Sequence, residues 1–475
     1  MKKIFAAMLG GLAVLVGCSQ QNKTTEPAAE PEGANHADWS RNAVIYEVNT
    51  RQYTPEGTFN AFREHLPRLK ELGVDILWFM PIHPISEKNR KGELGSYYAV
   101  RDYKAVNPEF GTLDDFKTLV DSVHAAGMKV IIDWVPNHTG CDNAWVEEHP
   151  EYYQLNEEGQ MYGPFDWTDV YQLDYSNDST RAAMTDAMKF WISEMGIDGF
   201  RCDVAGRVPV DYWNQARKDL EAAAGDRPIF MLAEATEPEL VVEAFDMDYN
   251  WPMKDLFSEI AATSGQYTFK GADGNVRTFP HKTARDIDSL LAVQAEQYAP
   301  DSYMMNMITN HDLNSWEGTE FERLGNLQGA FAVLSYTLPG MPLIYTGQET
   351  GLDRALEFFV KDNPPAFEPR NDYFTFYQKL NSLKHNRPEL AAGKAGAPVE
   401  SYPTANENIY VFSRDLNGSQ TVVAVNLGAE ESALFQEGQT PQLPELVDAF
   451  TGQTATLPAT LAPGQYVVLS TNSSK

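Results

Sequence analysis

Eight short runs rich in β-branched and aromatic residues are strung along this chain with helical stretches between them, an order that parallel strands joined through crossover helices satisfy. The runs are Ala43 to Asn49, Val74 to Met80, Lys129 to Val135, Gly199 to Val204, Ile229 to Glu234, Ala244 to Tyr249, Met304 to Asn310 and Met341 to Thr346. Between them, apolar residues return at three and four over Asn60 to Leu72, Leu113 to Ala126 and Thr180 to Met195, the spacing of helices that bury one face. Gly73, Gly127 and Gly196 stand where these stretches stop. The pattern predicts an α/β fold on eight strands, and 475 residues with 43% hydrophobic content can bury its core and that of a second, smaller unit.

Two regions leave the alternation. Residues 139–179, rich in Trp, Tyr, Asp and Asn, separate the third run from its helix, and a connection that long inside a compact domain is usually functional. It is read as a small excursion domain inside a catalytic unit of residues 38–390. From 391 to 475 short alternating strands such as Ile409 to Ser413 and Thr421 to Asn426 predict a C-terminal β-sandwich.

At the N-terminus, Lys2 and Lys3 precede an apolar run from Ile4 to Val16, followed by Gly17 and Cys18. A spanning helix needs about 20 apolar residues, so the run reads as an export signal rather than a membrane span. Leu15-Val16-Gly17-Cys18 resembles a bacterial lipobox, which implies a signal over residues 1–18 and lipidation of Cys18. Residues 19–37, rich in Gln, Asn, Thr, Glu, Pro and Ala without an apolar period, read as a flexible tether. Cys141 and Cys202 read as two buried free thiols. A formal charge of −30 argues against a nucleic-acid partner, whose phosphates call for clustered Lys and Arg, and is compatible with an uncharged substrate.

When eight parallel strands close into a barrel, chemistry sits at their carboxyl ends, so polar residues where an apolar run expires are the candidates. The third run ends in Asp133-Trp134-Val135-Pro136-Asn137-His138, the fourth in Arg201-Cys202-Asp203, the fifth in Ala233-Glu234 and the seventh in Thr309-Asn310-His311-Asp312. Each acid alone reads equally as a helix cap or a solvated loop charge. Carboxylates ending the fourth, fifth and seventh strands would converge over one barrel mouth, where their repulsion must serve a purpose.

These segments resemble the short characteristic regions of glycoside hydrolase family thirteen, the α-amylase family, in the family's order and across most of residues 40 to 390. Val106-Asn107-Pro108-Glu109-Phe110-Gly111-Thr112, Gln172-Leu173-Asp174-Tyr175 and Gly340-Met341-Pro342-Leu343-Ile344-Tyr345-Thr346-Gly347-Gln348-Glu349 are similar to further family segments. The resemblance implies a (β/α)8 TIM barrel with an excursion domain after strand three. It implies Asp203 as nucleophile, Glu234 as general acid/base and Asp312 as the third carboxylate, which grips sugar hydroxyls. Retaining cleavage needs an ionised carboxylate and a protonated carboxyl about 5 Å apart across the bond. Arg201, on the same side of the same strand, would keep Asp203 ionised, and repulsion from Asp203 and Asp312 would raise the pKa of Glu234. His138 and His311 resemble the family's substrate-binding histidines, and Tyr98 the tyrosine that stacks under the sugar at the cut. Trp134, Trp167 and Trp316 lie in the same loops, as core or as a sugar platform.

The implied activity is hydrolysis of α-1,4-glucosidic bonds in starch-type glucans or maltooligosaccharides through a covalent glycosyl-enzyme on Asp203. An exo-acting α-glucosidase or an α-glucan transglycosylase would use the same carboxylates. A non-catalytic, surface glycan-binding lipoprotein is the alternative of another class, and the joint presence of Asp203, Glu234, Asp312 and Arg201 speaks against it. The short excursion leans toward an open cleft and endo action. Gly206 and Arg207 stand where many family members carry Lys-His, which bears on the leaving-group side. Calcium is the implied metal, structural rather than chemical, with Asn137 matching a family ligand and Asp174 a second oxygen donor. The lipobox implies an exported protein anchored by lipid, and Ser19 after Cys18 favours the outer membrane, with its face left open.

Overall fold

The computed structural model describes residues 36–265 and 279–472. The lipobox, Cys18 and most of the expected tether lie outside these residues. The last two tether positions, His36 and Ala37, are already packed, and His36 Nδ1 lies 3.3 Å from Asp246 Oδ1. No helix among the described residues is long and apolar enough to cross a membrane.

The eight expected runs form one closed parallel barrel: β1 (Ile45–Val48), β2 (Ile76–Phe79), β3 (Lys129–Trp134), β4 (Gly199–Cys202), β5 (Phe230–Ala233), β6 (Met247–Tyr249), β7 (Tyr303–Asn306) and β8 (Met341–Tyr345). Each strand pairs with its sequence neighbours and β8 closes on β1. Strand side chains alternate, so one parity faces the barrel interior and the other the helices. Ile45, Ile76, Trp78, Ile131, Leu232, Met247 and Leu343 pack in the inner cluster, whereas Tyr46, Leu77, Ile132, Phe200 and Met231 join the outer core. Continuing the inward parity by two residues reaches Glu47 from Ile45, Asp133 from Ile131 and Glu234 from Leu232. The fold thus turns an apolar interior into a charged layer at the carboxyl ends.

The helices follow their sequence signals with two differences. Thr112 opens the helix Leu113–Ala125 with a capping box, its hydroxyl accepting from Asp115 N while the Asp115 carboxylate accepts from Thr112 N. The single helix expected over Asn60 to Leu72 is two, Phe59–Arg63 and Leu66–Leu72, because Pro67 cannot donate within a continuous helix and instead occupies the first turn of a new one. Asp178–Phe190 runs on into a wider π-turn, Trp191–Met195, which Gly196 ends at φ 76°.

Residues 139–179 carry a ribbon of His138–Gly140 paired with Val170–Gln172 over the barrel mouth. The C-terminal region is a six-stranded sheet centred on Ile409–Leu416 and Ser419–Asn426, with the pair Ser432–Ala433 and Thr460–Leu461 as a second sheet. Ile409, Val411, Ala424, Leu434 and Leu461 fill the space between these sheets. Both central strands outrun the expected alternation because they meet at Asn417-Gly418, where φ is 55° and 88°, the two-residue turn that Asn-Gly favours.

Candidate active site

Arg201 is fully buried on β4, and its guanidinium is the hub of the charged layer. Nη1 donates to Asp133 Oδ1 at 2.9 Å and Asp203 Oδ1 at 3.0 Å, Nη2 lies 2.9 Å from Glu234 Oε2, and Nε donates to Tyr249 Oη at 3.1 Å. Trp78 and Tyr249 flank the cation, 5.1 and 5.5 Å from its centre to their rings. One fixed fork therefore sets the positions of three carboxylates from neighbouring strands, as a planar guanidinium can and an ammonium cannot.

Asp203 gives one oxygen to Arg201, while Oδ2 is buried without a hydrogen-bond partner among the described residues, on a carboxylate that lines the cavity. Just after it, Val204 takes φ 38°, a left-handed conformation costing roughly 1–3 kcal/mol for a β-branched residue. That turn points Val204 N at Glu234 Oε2, 2.9 Å away. Local strain thus holds the Glu234 carboxyl beside Asp203.

Asp312 lies at the other rim, with Oδ2 3.3 Å from His311 Nε2. His311 Nε2 also lies 2.8 Å from Tyr98 Oη, and the Tyr98 hydroxyl donates to Asp133 Oδ2 at 3.1 Å. Behind His311, Glu47 is fully buried and its Oε1 is 2.5 Å from His311 Nδ1. The structure brings Asp203, Glu234, Asp312, Tyr98, His138 and His311 to one cavity of about 290 Å³, with Arg201 beneath it. Trp167 and Trp316 also line it, whereas Trp134 is fully buried in the core. Tyr97 faces away, its hydroxyl on Asn49 and its ring under Arg51.

Burial raises the pKa of Glu234; Arg201 opposes this and Asp203 reinforces it, so desolvation leads where repulsion was expected to, and Asp312 is not among the leading causes. Asp203 is also raised, by burial first, with Arg201 pulling it back. His138 falls to about 4 through burial. For His311, burial acts downward, but Asp312 and then Glu47 outweigh it and raise the pKa to about 9.

A raised histidine pKa stabilises the fold fully below the unfolded value near 6.5, and the contribution disappears as pH rises through about 9. The difference is worth roughly 3 kcal/mol. Wild-type stability is therefore expected to fall between pH 7 and 10. Glu47→Gln should flatten that fall while lowering stability at pH 7, as urea unfolding across the range would register. Parallel curves for the two proteins would remove Glu47 from this role.

Glu47 has no place among the candidates read from the sequence, and Asp133 stands there at the end of the third run without a role. Their signal is parity: each is the lone acid on the inward side of an apolar strand.

The expected calcium donors are otherwise engaged. Gln172 Nε2 donates to Asn137 O and Asn137 Oδ1, both at 2.9 Å, and to Leu173 O at 3.3 Å, while its Oε1 accepts from Asn137 Nδ2. Asp174 Oδ1 accepts from Ser176 N, capping a turn. Three oxygens thus converge on an amide nitrogen, and a donating nitrogen does not fit among the six to eight oxygen ligands that calcium takes. Chelation is accordingly expected to leave the melting temperature of the wild type unchanged. Gln172→Glu removes the two amide protons that these three oxygens share and sets a carboxylate oxygen against them, and should lose about 1–3 kcal/mol that millimolar calcium restores. A wild type that melts earlier in EDTA would contradict this.

Buried acids gathered at the carboxyl ends of the strands of a closed parallel barrel are the arrangement that barrel enzymes use for their active sites. The chain belongs to the α-amylase family: the model of the α-amylase catalytic domain matches residues 31–162 and 151–364. It is 30% identical to an α-amylase from Lactobacillus plantarum of known structure, over 91% of this chain and 99% of that one, with a TM-score of 0.77. A maltogenic α-amylase from Thermotoga neapolitana superposes with the same score at 26% identity, over 90% and 98% of the two chains. The cyclomaltodextrin glucanotransferase of Bacillus licheniformis is 26% identical over 84% of this chain and 56% of its own length. The chain thus spans little more than half of that relative.

Proposed function

We propose that this protein is a retaining glycoside hydrolase that cleaves α-1,4-glucosidic bonds of starch-type glucans or maltooligosaccharides, exported and anchored by a lipid on Cys18. The observation that carries the reading is the asymmetry of Asp203. One oxygen is fixed by Arg201 and the other is buried on the cavity side, with the Glu234 carboxyl, whose pKa is raised, beside it.

In this reading Asp203 Oδ2 attacks the anomeric carbon while Glu234 gives its proton to the departing glycosidic oxygen. The bond from carbon to the leaving oxygen breaks as the ester to Asp203 forms. Glu234, now ionised, takes a proton from water, which attacks the same carbon and releases Asp203 with net retention. Asp312 and the charged His311 hold sugar hydroxyls, and Tyr98, stacked on His311 at 5.5 Å with the rings inclined by 22°, is the floor for the sugar ring. Because the two carboxyls must differ in protonation, activity should be bell-shaped in pH, with the basic limb set by Glu234.

A time course on maltoheptaose, using protein lacking residues 1–18 and following product lengths and the anomer first released by NMR, tests the assignment. Initial α-anomeric products support it; β-products or no turnover defeat it. Transfer to a second sugar is the competing outcome, and longer products would favour it, given the glucanotransferase among the relatives. Radiolabelled palmitate incorporated by the full chain and lost in Cys18→Ser would support the anchor, for which the stretch from Lys2 to Cys18 is the basis.

A further inference from the structure

We infer that the site is blind on its donor side, so that the enzyme engages α-glucans from their non-reducing ends and removes short units. The inference rests on the catalytic reading of Asp203 and Glu234. Two cavities meet at the site and share Val204 and Glu234. Glu234, the proton donor, must face the leaving group, so the bond to be cut crosses from one cavity to the other at this residue. The cavity holding Asp203, Tyr98, His311 and Asp312 takes the glycosyl unit that is transferred. The other, a trough of about 620 Å³ past Arg207, Glu237 and Trp251, takes the leaving group.

Along the far wall of the donor cavity the excursion domain and the loops of three strands are joined to one another. From the excursion domain, Asp169 forms a 3.0 Å ion pair with Lys91 in the loop after β2. That loop is sewn to the loop after β8, with Leu94 N donating to Phe359 O at 2.8 Å. Arg51, buried after β1, clamps both loops by donating to Leu94 O and Phe358 O at 3.2 Å and Gly95 O at 3.3 Å. Gln52 holds the same β8 loop through Glu357 O and Val360 O, at 2.6 and 2.7 Å. A side chain at Gly92 would collide with Phe359, so the two loops are in direct contact. Trp316, from the loop after β7, completes the rim, its ring 5.4 Å from Phe358 and 5.9 Å from Phe359.

A glucan threaded through the site would have to pass this wall. With about 290 Å³ available, the donor cavity sits at the small end of ligand pockets, which run from roughly 300 to 1,000 Å³. The open cleft expected from a short excursion domain is therefore closed at this end, by barrel loops rather than by the excursion. The leaving-group side stays wide, and there Arg207 stacks over the exposed ring of Phe165 at 4.1 Å.

The test compares nitrophenyl maltoheptaoside with the same compound bearing an ethylidene group on its non-reducing terminal glucose. The wild type should cleave the blocked compound about 100-fold more slowly than the free one, because the cap excludes the chain end from a blind pocket. The free substrate should shorten stepwise. Lys91→Ala with Phe359→Ala should narrow the gap and lengthen the first products. Comparable wild-type rates on both compounds would overturn the blind pocket and leave the hydrolytic reading standing. Cleavage of neither would overturn that reading, and this inference with it.

Discussion

Asp203→Asn is expected to lower kcat/KM on maltoheptaose by roughly 10⁴- to 10⁶-fold, the scale of loss when a covalent nucleophile is removed. The substitution keeps the side chain's shape and leaves an oxygen to accept from Arg201, so the fold should persist. What disappears is the charged oxygen: an amide neither attacks the anomeric carbon nor stabilises the positive charge that develops there. Substrate affinity, read by isothermal titration with maltotriose, should change by less than about tenfold, since Asp312, His311 and Tyr98 still present their donors and ring. A variant that turns over within about tenfold of the wild type would exclude Asp203 as nucleophile. A wild type that binds but never turns over would instead leave a glycan-binding protein. Glu234→Gln should be milder with leaving groups that need no proton, losing little of the first step on a dinitrophenyl donor against roughly 10²- to 10⁴-fold on maltoheptaose.

The barrel was legible because its strands are short, apolar and separated by helices with Gly stops, so that period and punctuation agree. Even Met247–Tyr249, three residues long, falls inside the run expected for it. The break in the first helix was missed, because apolar spacing continues across Pro67 and hides it. Period-two patterning carried the fold's main functional consequence. Arg201 and Asp203 share a parity, and both meet at the mouth with Asp133 and Glu234.

What the sequence concealed depends on contacts between distant loops. Arg51 follows an apolar strand like any surface arginine, and only the closed barrel brings it against Leu94 and Phe358, residues far along the chain. Phe358 and Phe359 sit in a loop with no period, where aromatic residues look like stray core. Gln172 stood in a family-like segment without a role, because an amide that occupies three oxygens has no spacing signature. Glu47 was hidden differently: a lone acid in Ile45–Val48 reads as a solvent-facing residue until its partner, His311, arrives from far along the chain.

Arg201→Met should be the most damaging single substitution for stability at neutral pH, costing about 3–5 kcal/mol, as expected when one side of a buried ionic cluster is removed. Met fills much of the space between Trp78 and Tyr249, so the loss is electrostatic rather than a cavity. Asp133, Asp203 and Glu234 would keep their burial and lose the cation that lowers each of their pKa values. Carboxyls whose folded pKa is raised favour the folded state at low pH, and that advantage is lost as pH climbs from the unfolded values near 4 through the raised ones. The deficit of the variant against wild type should therefore be small near pH 5 and grow toward pH 8, as paired urea titrations would reveal. Adding Asp133→Asn to Arg201→Met removes one of the stranded charges and should recover part of the loss. Arg201→Lys retains a charge but not the fork, so it should recover stability more than activity, because an ammonium cannot hold Asp203 and Glu234 in register at once. A deficit that is the same at pH 5 and pH 8 would mean that the guanidinium matters for packing alone, and the electrostatic account of the site would fail.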